Sequence, residues 1–141
     1  MRRPFVFLLI SVLLSCSASK NLPRVTPNLD DLIATSWVLD AINKDVVDKK
    51  DYMKGLPALN FREKGILDGM TGCNSFSGKY ALGEQFKLDT GAMTKMNCPG
   101  SDEKEFLEAL QTTTSLLMEG DHLLFMNGNE ELLKFSPEPK I

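Results

Sequence analysis

Short apolar runs separated by turn residues make up most of the chain after residue 35. In the first run, Trp37, Leu39 and Ala41 alternate with Val38 and Asp40, as in a half-buried strand. Further runs follow at 46–47, 58–61, 66–72, 78–82, 85–89, 92–96, 116–119, 122–126 and 131–135. The turn signals between them are Lys64-Gly65, Gly83-Glu84, Thr90-Gly91, Gly120-Asp121 and Asn127-Gly128. Strands at this spacing predict an antiparallel sheet that curls into a barrel.

Two segments have helical periodicity. Asn28 can cap a short helix whose apolar residues Leu29, Leu32 and Ile33 share one face. A longer helix is predicted over 102–114 with Ser101 as its N-cap, because acidic residues lie over its first turn, where the helix dipole is positive. The residues expected on its sheet-facing side are Phe106, Leu107, Leu110 and Thr114. This helix should close one end or one side of the sheet.

The first fifteen residues have the anatomy of a signal peptide. Arg2 and Arg3 precede an apolar run at 5–14, and small Ser15 ends it. The run is about half the length that a helix needs to cross the hydrocarbon core of a membrane. We therefore expect a cleaved leader at 1–15 in preference to a transmembrane anchor or a buried N-terminal strand.

The end of this leader, Leu13-Leu14-Ser15-Cys16, resembles the bacterial lipobox. The resemblance implies a diacylglycerol thioether on Cys16 and a third acyl chain on its amine, which is more lipid than stable anchoring requires. The residue after Cys16 is Ser17 and not Asp, so the resemblance also implies sorting to the outer membrane, with the domain facing the periplasm. Residues 16–28 contain prolines and small polar residues without apolar periodicity, so they indicate a lipidated tether. The folded domain is expected at 29–141.

Composition supports one folded domain and excludes one class of partner. The 141 residues are 43% hydrophobic and 25% charged, values typical of globular proteins. Loss of Arg2 and Arg3 with the leader leaves 14 basic against 19 acidic residues, a formal charge of about −5. The basic residues are dispersed and form no stripe with interleaved aromatics. No nucleic-acid partner is expected.

Two motifs stand out in the predicted domain. The first contains Gly72, Cys73, Asn74, Phe76, Gly78 and Tyr80, and the second contains Thr94, Met96 and Cys98. They resemble the G-C-N-x-F-x-G-x-Y and T-[RK]-M-x-C runs of the META domain family, which includes HslJ-like heat-shock lipoproteins. The resemblance extends from about Asp30 to Phe135.

This resemblance implies an α+β, mainly β fold: a small cracked antiparallel β-barrel with one helix packed on it. It implies an association with heat shock and other stress responses, and it implies no known reaction. Beside it, the residues have structural interpretations of their own. Gly72, Gly78 and Gly91 are expected at strand ends where the chain bends. Asn74 is expected to form a structural corner, through left-handed geometry or a bond to its own backbone, in preference to a solvent-facing recognition role.

Assigning Cys16 to lipid leaves an even pair of cysteines in an oxidising compartment. We predict that Cys73 and Cys98 form a disulfide; two buried reduced thiols are the alternative. A redox role for Cys98 has some support because it precedes a helix start, where a thiolate is stabilised. The chain has no C-x-x-C pair, so thioredoxin-like chemistry is not expected.

Catalytic, metal and cofactor sites are not expected. His122 is the only histidine and lies in a predicted strand without a neighbouring ligand pattern. Ser75 and Ser77 lack the G-x-S-x-G elbow of α/β-hydrolases. The acidic residues at helix starts and strand edges are expected to be solvated: Asp30-Asp31, Glu103, Glu105 and Glu130-Glu131.

Three functional hypotheses follow. The first is a non-catalytic envelope lipoprotein, a stress-related structural or interaction module that is held to the membrane by lipid and contacts another envelope protein. The second is a protein that binds lipid or a small hydrophobe in the barrel interior. The third is an envelope hydrolase or thiol enzyme, whose sign would be a cleft that brings His122 together with a serine, a cysteine or an acid.

Overall fold

The computed structural model of the chain describes residues 22–101 and 103–138. The predicted signal peptide and Cys16 lie outside the described residues. Within those residues, no helix is long and apolar enough to cross a membrane.

Ten strands, two α-helices and two single-turn 3-10 helices make up the described chain. The strands are β1 Arg24–Val25, β2 Ser36–Ile42, β3 Asp45–Val46, β4 Ala58–Arg62, β5 Ile66–Met70, β6 Ser75–Ala81, β7 Lys87–Met93, β8 Ser115–Glu119, β9 His122–Asn127 and β10 Glu130–Glu138. The helices are α1 Leu29–Ile33 and α2 Glu103–Thr112, and the 3-10 turns are Lys49–Asp51 and Glu63–Gly65.

The strands form one antiparallel sheet that curls without closing. Its order is β1-β8-β9-β10-β2-β4-β5-β6-β7, and β3 pairs with β2 outside this path. At the gap between the two ends of the sheet, the Phe86 N–H, just before β7, donates to the Thr114 carbonyl, just before β8 (2.8 Å). The predicted class, mainly β with one longer helix on a cracked antiparallel barrel, is confirmed.

Local sequence signals account for the first elements. Asn28 caps α1 in a reciprocal box: its side chain accepts from the Asp31 N–H, and Asp31 accepts from the Asn28 N–H. In β2, Trp37, Leu39 and Ala41 are buried, as the alternation predicts. The Trp37 indole N–H donates to the Leu32 carbonyl of α1 (3.0 Å), so the short helix is fixed to the first long strand.

Helix α2 lies within its predicted range and packs on the sheet through Phe106, Ala109 and Leu110, which are buried. Two details differ from expectation. Thr114 follows the helix and joins the gap contact with Phe86, so it is not part of the packing face. The buried Ser101 hydroxyl has no hydrogen-bond partner among the described residues and therefore caps none of the described first-turn amides.

The interior of the barrel is filled by aromatic rings. Phe125 lies at the centre, with ring centroids 5.0 Å from Phe135, 5.8 Å from Phe86 and 6.4 Å from Phe61. Tyr80 meets Phe61 edge-to-face at 4.9 Å. Such contacts add to the free energy gained by burying the rings. The core is therefore continuous from β4 and β6 across to β9 and β10.

The β6–β7 pair departs most from the sequence expectation. A turn at Thr90-Gly91 was predicted to separate two strands, but β7 is a single strand that carries a bulge. The register passes from Phe76 opposite Met93 to Ser77 opposite Gly91, which leaves Ala92 as the extra residue. Gly91 has φ +58°, a left-handed conformation that glycine accepts without strain.

The positions of the other motif glycines agree only in part with the prediction that they lie at strand ends. Gly72 lies just beyond the end of β5, as expected, whereas Gly78 lies in the middle of β6. A Cβ on Gly78 would stand 1.9 Å from the Asp89 carbonyl oxygen of β7. Gly78 and Gly91 therefore let two strands approach closely inside a pair and do not mark strand ends.

The end of the predicted tether also belongs to the sheet. Arg24 and Val25 form β1, paired with Glu119 and Met118 of β8. The Arg24 guanidinium contacts the carboxylates of Glu119 (2.8 Å) and Glu131 (3.1 Å). These carboxylates raise the pKa of Arg24, mainly through the hydrogen bond to Glu119. The folded part of the chain thus reaches back before Leu29.

We predict that Gly78→Ala lowers the free energy of unfolding by about 1–3 kcal/mol, because the added methyl group must displace the β7 backbone. Urea unfolding of the oxidised protein measures the change. Gly83→Ala is the matched control, since its nearest atom would be the Gln85 carbonyl at 3.9 Å. Equal stability of the two variants would refute the close approach of β6 and β7.

Candidate functional site

The two motifs meet at the corner between β5 and β6. Gly72 takes φ +86°, and a Cβ on it would stand 2.3 Å from the Tyr52 ring, so only glycine fits without rearrangement. The Thr71 N–H donates to the Asn74 carbonyl (2.8 Å), and the Asn74 N–H donates to the Thr71 hydroxyl (2.8 Å). Residues 71–74 thus form a hydrogen-bonded turn. Asn74 is part of a structural corner, as predicted, but the left-handed residue is Gly72.

The side chain of Asn74 links three segments that are distant in the sequence. It is 4% exposed. Its amide nitrogen donates to the Glu103 carboxylate (2.9 and 3.1 Å) and to the Met96 carbonyl (3.3 Å). Its oxygen accepts from the Met96 N–H (2.7 Å) and the Thr94 hydroxyl (2.9 Å). Asn74 therefore joins the start of β6, the segment after β7 and the start of α2, and it uses all of its side-chain hydrogen-bonding groups.

Glu103 completes this arrangement, although neither motif contains it. Its carboxylate accepts from the Asn74 amide and from the Thr71 hydroxyl, and it lies on the first turn of α2, where the helix dipole favours negative charge. The expectation that Glu103 is a solvated charge was wrong. Its position on the first turn, soon after Cys98, was the available signal, but its partner Asn74 in the corner before β6 could not be inferred from spacing.

The disulfide lies directly beside this cluster. Cys73 and Cys98 are bonded, with their Cα atoms 5.9 Å apart, a typical separation. The bond joins the β5–β6 corner to the segment before α2, the same two regions that Asn74 joins through hydrogen bonds. The predicted pairing is confirmed. We call Thr71, Cys73, Asn74, Cys98 and Glu103 the corner cluster.

The remaining motif residues extend the cluster along the strands. The Thr94 hydroxyl accepts from the Ser75 N–H (3.0 Å), and Met96 contributes its backbone while its side chain is exposed. Phe76 is buried against Gly69, where a Cβ would come within 2.2 Å of its ring. The Tyr80 hydroxyl donates to the Arg62 carbonyl (2.8 Å), and burial raises the pKa of this phenol.

His122 lies elsewhere, in an open groove over β2, β9 and β10. Its Nδ1 is 2.9 Å from Asp121, and its Nε2 is 3.7 Å from an Asp40 carboxylate oxygen. The same Asp40 oxygen accepts the Ser136 hydroxyl. This groove therefore brings His122 together with a serine and an acid, the arrangement that the hydrolase hypothesis requires.

Their order, however, differs from that of a nucleophile and its base. Asp40 stands between Ser136 and His122, and in the described part of the chain no hydrogen bond joins the hydroxyl to the imidazole. A general base must contact the proton that it removes. Residues 22–101 and 103–138 contain no cluster of three or more metal-ligating side chains.

We predict that Asn74→Ala lowers the free energy of unfolding by at least about 2 kcal/mol, because the Met96 N–H and the Glu103 carboxylate lose buried partners. Chemical denaturation measures the loss. Asn97→Ala, an exposed asparagine in the same segment, should change stability little. If the two variants are equally stable, Asn74 does not hold the cluster together.

Removal of the disulfide should cost about 3–4 kcal/mol, as expected for a bond between residues separated by 25 positions. The comparison is between the oxidised protein and the Cys73→Ala/Cys98→Ala double variant in urea. A reductant should lower the stability of the parent protein and leave the variant unchanged. Detection of free thiols from Cys73 and Cys98 in the denatured, unreduced protein would contradict the bond.

Comparison with solved structures shows the same fold in two proteins. A protein whose structure was determined by NMR has a TM-score of 0.62 and 23% identity, over 79% of this chain and 96% of that protein. The crystal structure of a DUF4847 family protein from Bacteroides vulgatus ATCC 8482 has a TM-score of 0.60 and 14% identity, over 81% and 100% of the two chains. At these identities the likeness concerns the fold alone.

No curated protein matches this sequence significantly. The family model of the META domain matches residues 30–140, which is most of the chain and includes both motifs and the whole corner cluster. The chain therefore belongs to the META domain family.

Proposed function

We propose that this protein is a non-catalytic lipoprotein of the bacterial cell envelope, a stress-related structural or interaction module anchored through lipid on Cys16. The observation that carries the proposal is that the family motif residues bond to one another inside the fold. Asn74, Thr94, Cys73 and Cys98 all make intramolecular bonds that hold segments of the fold together. Motif residues that make such internal bonds keep the domain rigid, and a rigid domain can present a surface to a partner.

The chemistry of the corner cluster supports a structural role. The Asn74 amide is fully bonded and buried, and the two sulfurs are joined to each other, so neither group offers a free nucleophile or base. A redox enzyme would need an accessible thiolate with a nearby resolving cysteine. The disulfide and the predicted signal peptide both agree with an oxidising compartment outside the cytoplasm.

The envelope location is inferred from the sequence. Leu13-Leu14-Ser15-Cys16 and the residue after it, Ser17, favour lipid modification and transit to the outer membrane, with the domain facing the periplasm. The partner proposed for the domain is another envelope protein.

Aromatic packing weighs against the second hypothesis, a ligand in the barrel interior. Phe61, Phe125 and Phe135 are fully buried at the centre of the barrel, where Phe125 contacts both of the other rings. A lipid or small hydrophobe held there would have to displace them, at the cost of well-packed core contacts.

The anchor is tested by Cys16→Ala in a bacterial host that lipidates exported proteins. The parent protein should incorporate a labelled fatty acid and sediment with membranes, and the variant should move to the soluble fraction, because the attachment atom is lost. The Cys73→Ala/Cys98→Ala double variant controls for loss of a cysteine elsewhere and should keep the label. Unchanged membrane association of Cys16→Ala would contradict the proposal.

A further inference from the structure

We infer that the gap side of the barrel, bordered by β1 and the β6–β7 loop, is a docking surface for the lipid bilayer to which the chain is anchored. This inference rests on the proposed lipid at Cys16. It adds which face of the domain meets the membrane and by what contacts.

The first observation is an apolar rim along the gap. Leu22 is 51%, Val25 56% and Leu82 44% exposed, whereas most of the other large apolar side chains in residues 22–101 and 103–138 are buried. A cleft between the two ends of the sheet has an apolar part formed by Leu82 and Phe86 from the β6–β7 loop, Pro27 after β1 and Leu116 of β8; its polar lining is Thr26, Glu84 and Ser115. Exposed apolar side chains beside such a cleft are typical of a surface that has a partner. We call Leu22, Val25 and Leu82 the gap rim.

Pairing of β1 with β8 places Val25 in the rim. Val25 lies opposite Met118, so both side chains stand on the same face of the sheet. Met118 packs against the core, whereas Val25 is on β1, beyond which the described residues form no further strand. The Val25 side chain therefore lies at the edge of the gap. Pro27 and Leu82 continue this apolar edge along the cleft.

The second observation is the point at which the chain leaves the domain. Arg24 is bound by Glu119 and Glu131, which holds β1 on β8. Leu22 lies against the β8–β9 turn, where a Cβ on Gly120 would stand 3.0 Å from its side chain. The chain thus departs towards Cys16 from the edge of the gap side.

The short segment between Cys16 and Leu22 indicates that the partner of this surface is the bilayer. Cys16 precedes Leu22 by six residues, which reach at most about 20 Å when fully extended. Lipid on Cys16 places this residue at the membrane surface, so Leu22 cannot be farther from the headgroups than that. The gap rim includes Leu22, so it contains the exposed large apolar residue that is nearest to Cys16 along the described chain. Lys20, the only charged residue between Cys16 and Leu22, is compatible with an anionic surface.

The test uses the full lipidated protein in vesicles of phosphatidylethanolamine and phosphatidylglycerol that contain a spin-labelled lipid as quencher. A fluorophore is attached at Leu82→Cys, which is far from the anchor in sequence, or at Val46→Cys as the control. Lipid on Cys16 and the Cys73–Cys98 bond leave only the introduced thiol for labelling. Val46 is 86% exposed on β3, which pairs with β2, the strand midway between the two ends of the sheet.

Several-fold stronger quenching at position 82 than at position 46 is the expected result. Val25→Ser in the Leu82→Cys background should reduce that quenching, while Val46→Ser in the same background should not. Equal quenching at both sites, on protein that floats with the vesicles, would overturn the docking surface and leave the anchor standing. Protein that fails to float with the vesicles would overturn the anchor and the docking surface together.

Discussion

The buried amide of Asn74 is the constraint on which the rest of the domain depends. A buried asparagine must satisfy both donor hydrogens and its oxygen, and here these groups bond to two other parts of the chain, the segment after β7 and the start of α2. Glu103 orients α2, Met96 and Thr94 hold the segment after β7, and the backbone of Asn74 closes the corner before β6. The neighbouring disulfide ties the same segments covalently. Hydrogen bonds set the geometry of this junction, and the covalent bond limits how far its parts can separate in the unfolded chain.

This junction matters because the sheet does not close on itself. β7 borders the gap on one side, and β8 with its short edge strand β1 borders it on the other; α2 is the element between β7 and β8 in the chain. With Glu103 fixed to Asn74, α2 places Phe106 and Leu110 into the core, and Phe106 meets Phe135 of β10. The helix thus supplies packing that a closed ring of strands would otherwise provide. The gap stays open towards β1, where apolar residues remain exposed.

Local chemistry shows what the motif residues do within the fold. The G-C-N and T-K-M-x-C runs are rich in groups that could suggest catalysis, yet their bonds are directed inward to one another. The groove around His122 contains titratable groups, but Asp40 separates its serine from its histidine. On the gap side, Leu22, Val25 and Leu82 remain exposed.

Local patterns in the sequence determined the strand alternation of β2, the Asn28 cap and the extent of α2, because each depends on residues a few positions apart. The pairing of Cys73 with Cys98 was predicted because they are the two cysteines that remain when Cys16 is assigned to lipid. Only the tertiary structure decided that Glu103 is a partner of Asn74, that Gly78 and Gly91 lie within one strand pair, and that Arg24 and Val25 add a strand to β8. These features depend on which backbone lies opposite which when the sheet curls. Periodicity and turn chemistry describe a segment and its near neighbours, whereas contacts across a curled sheet arise from its register and curvature.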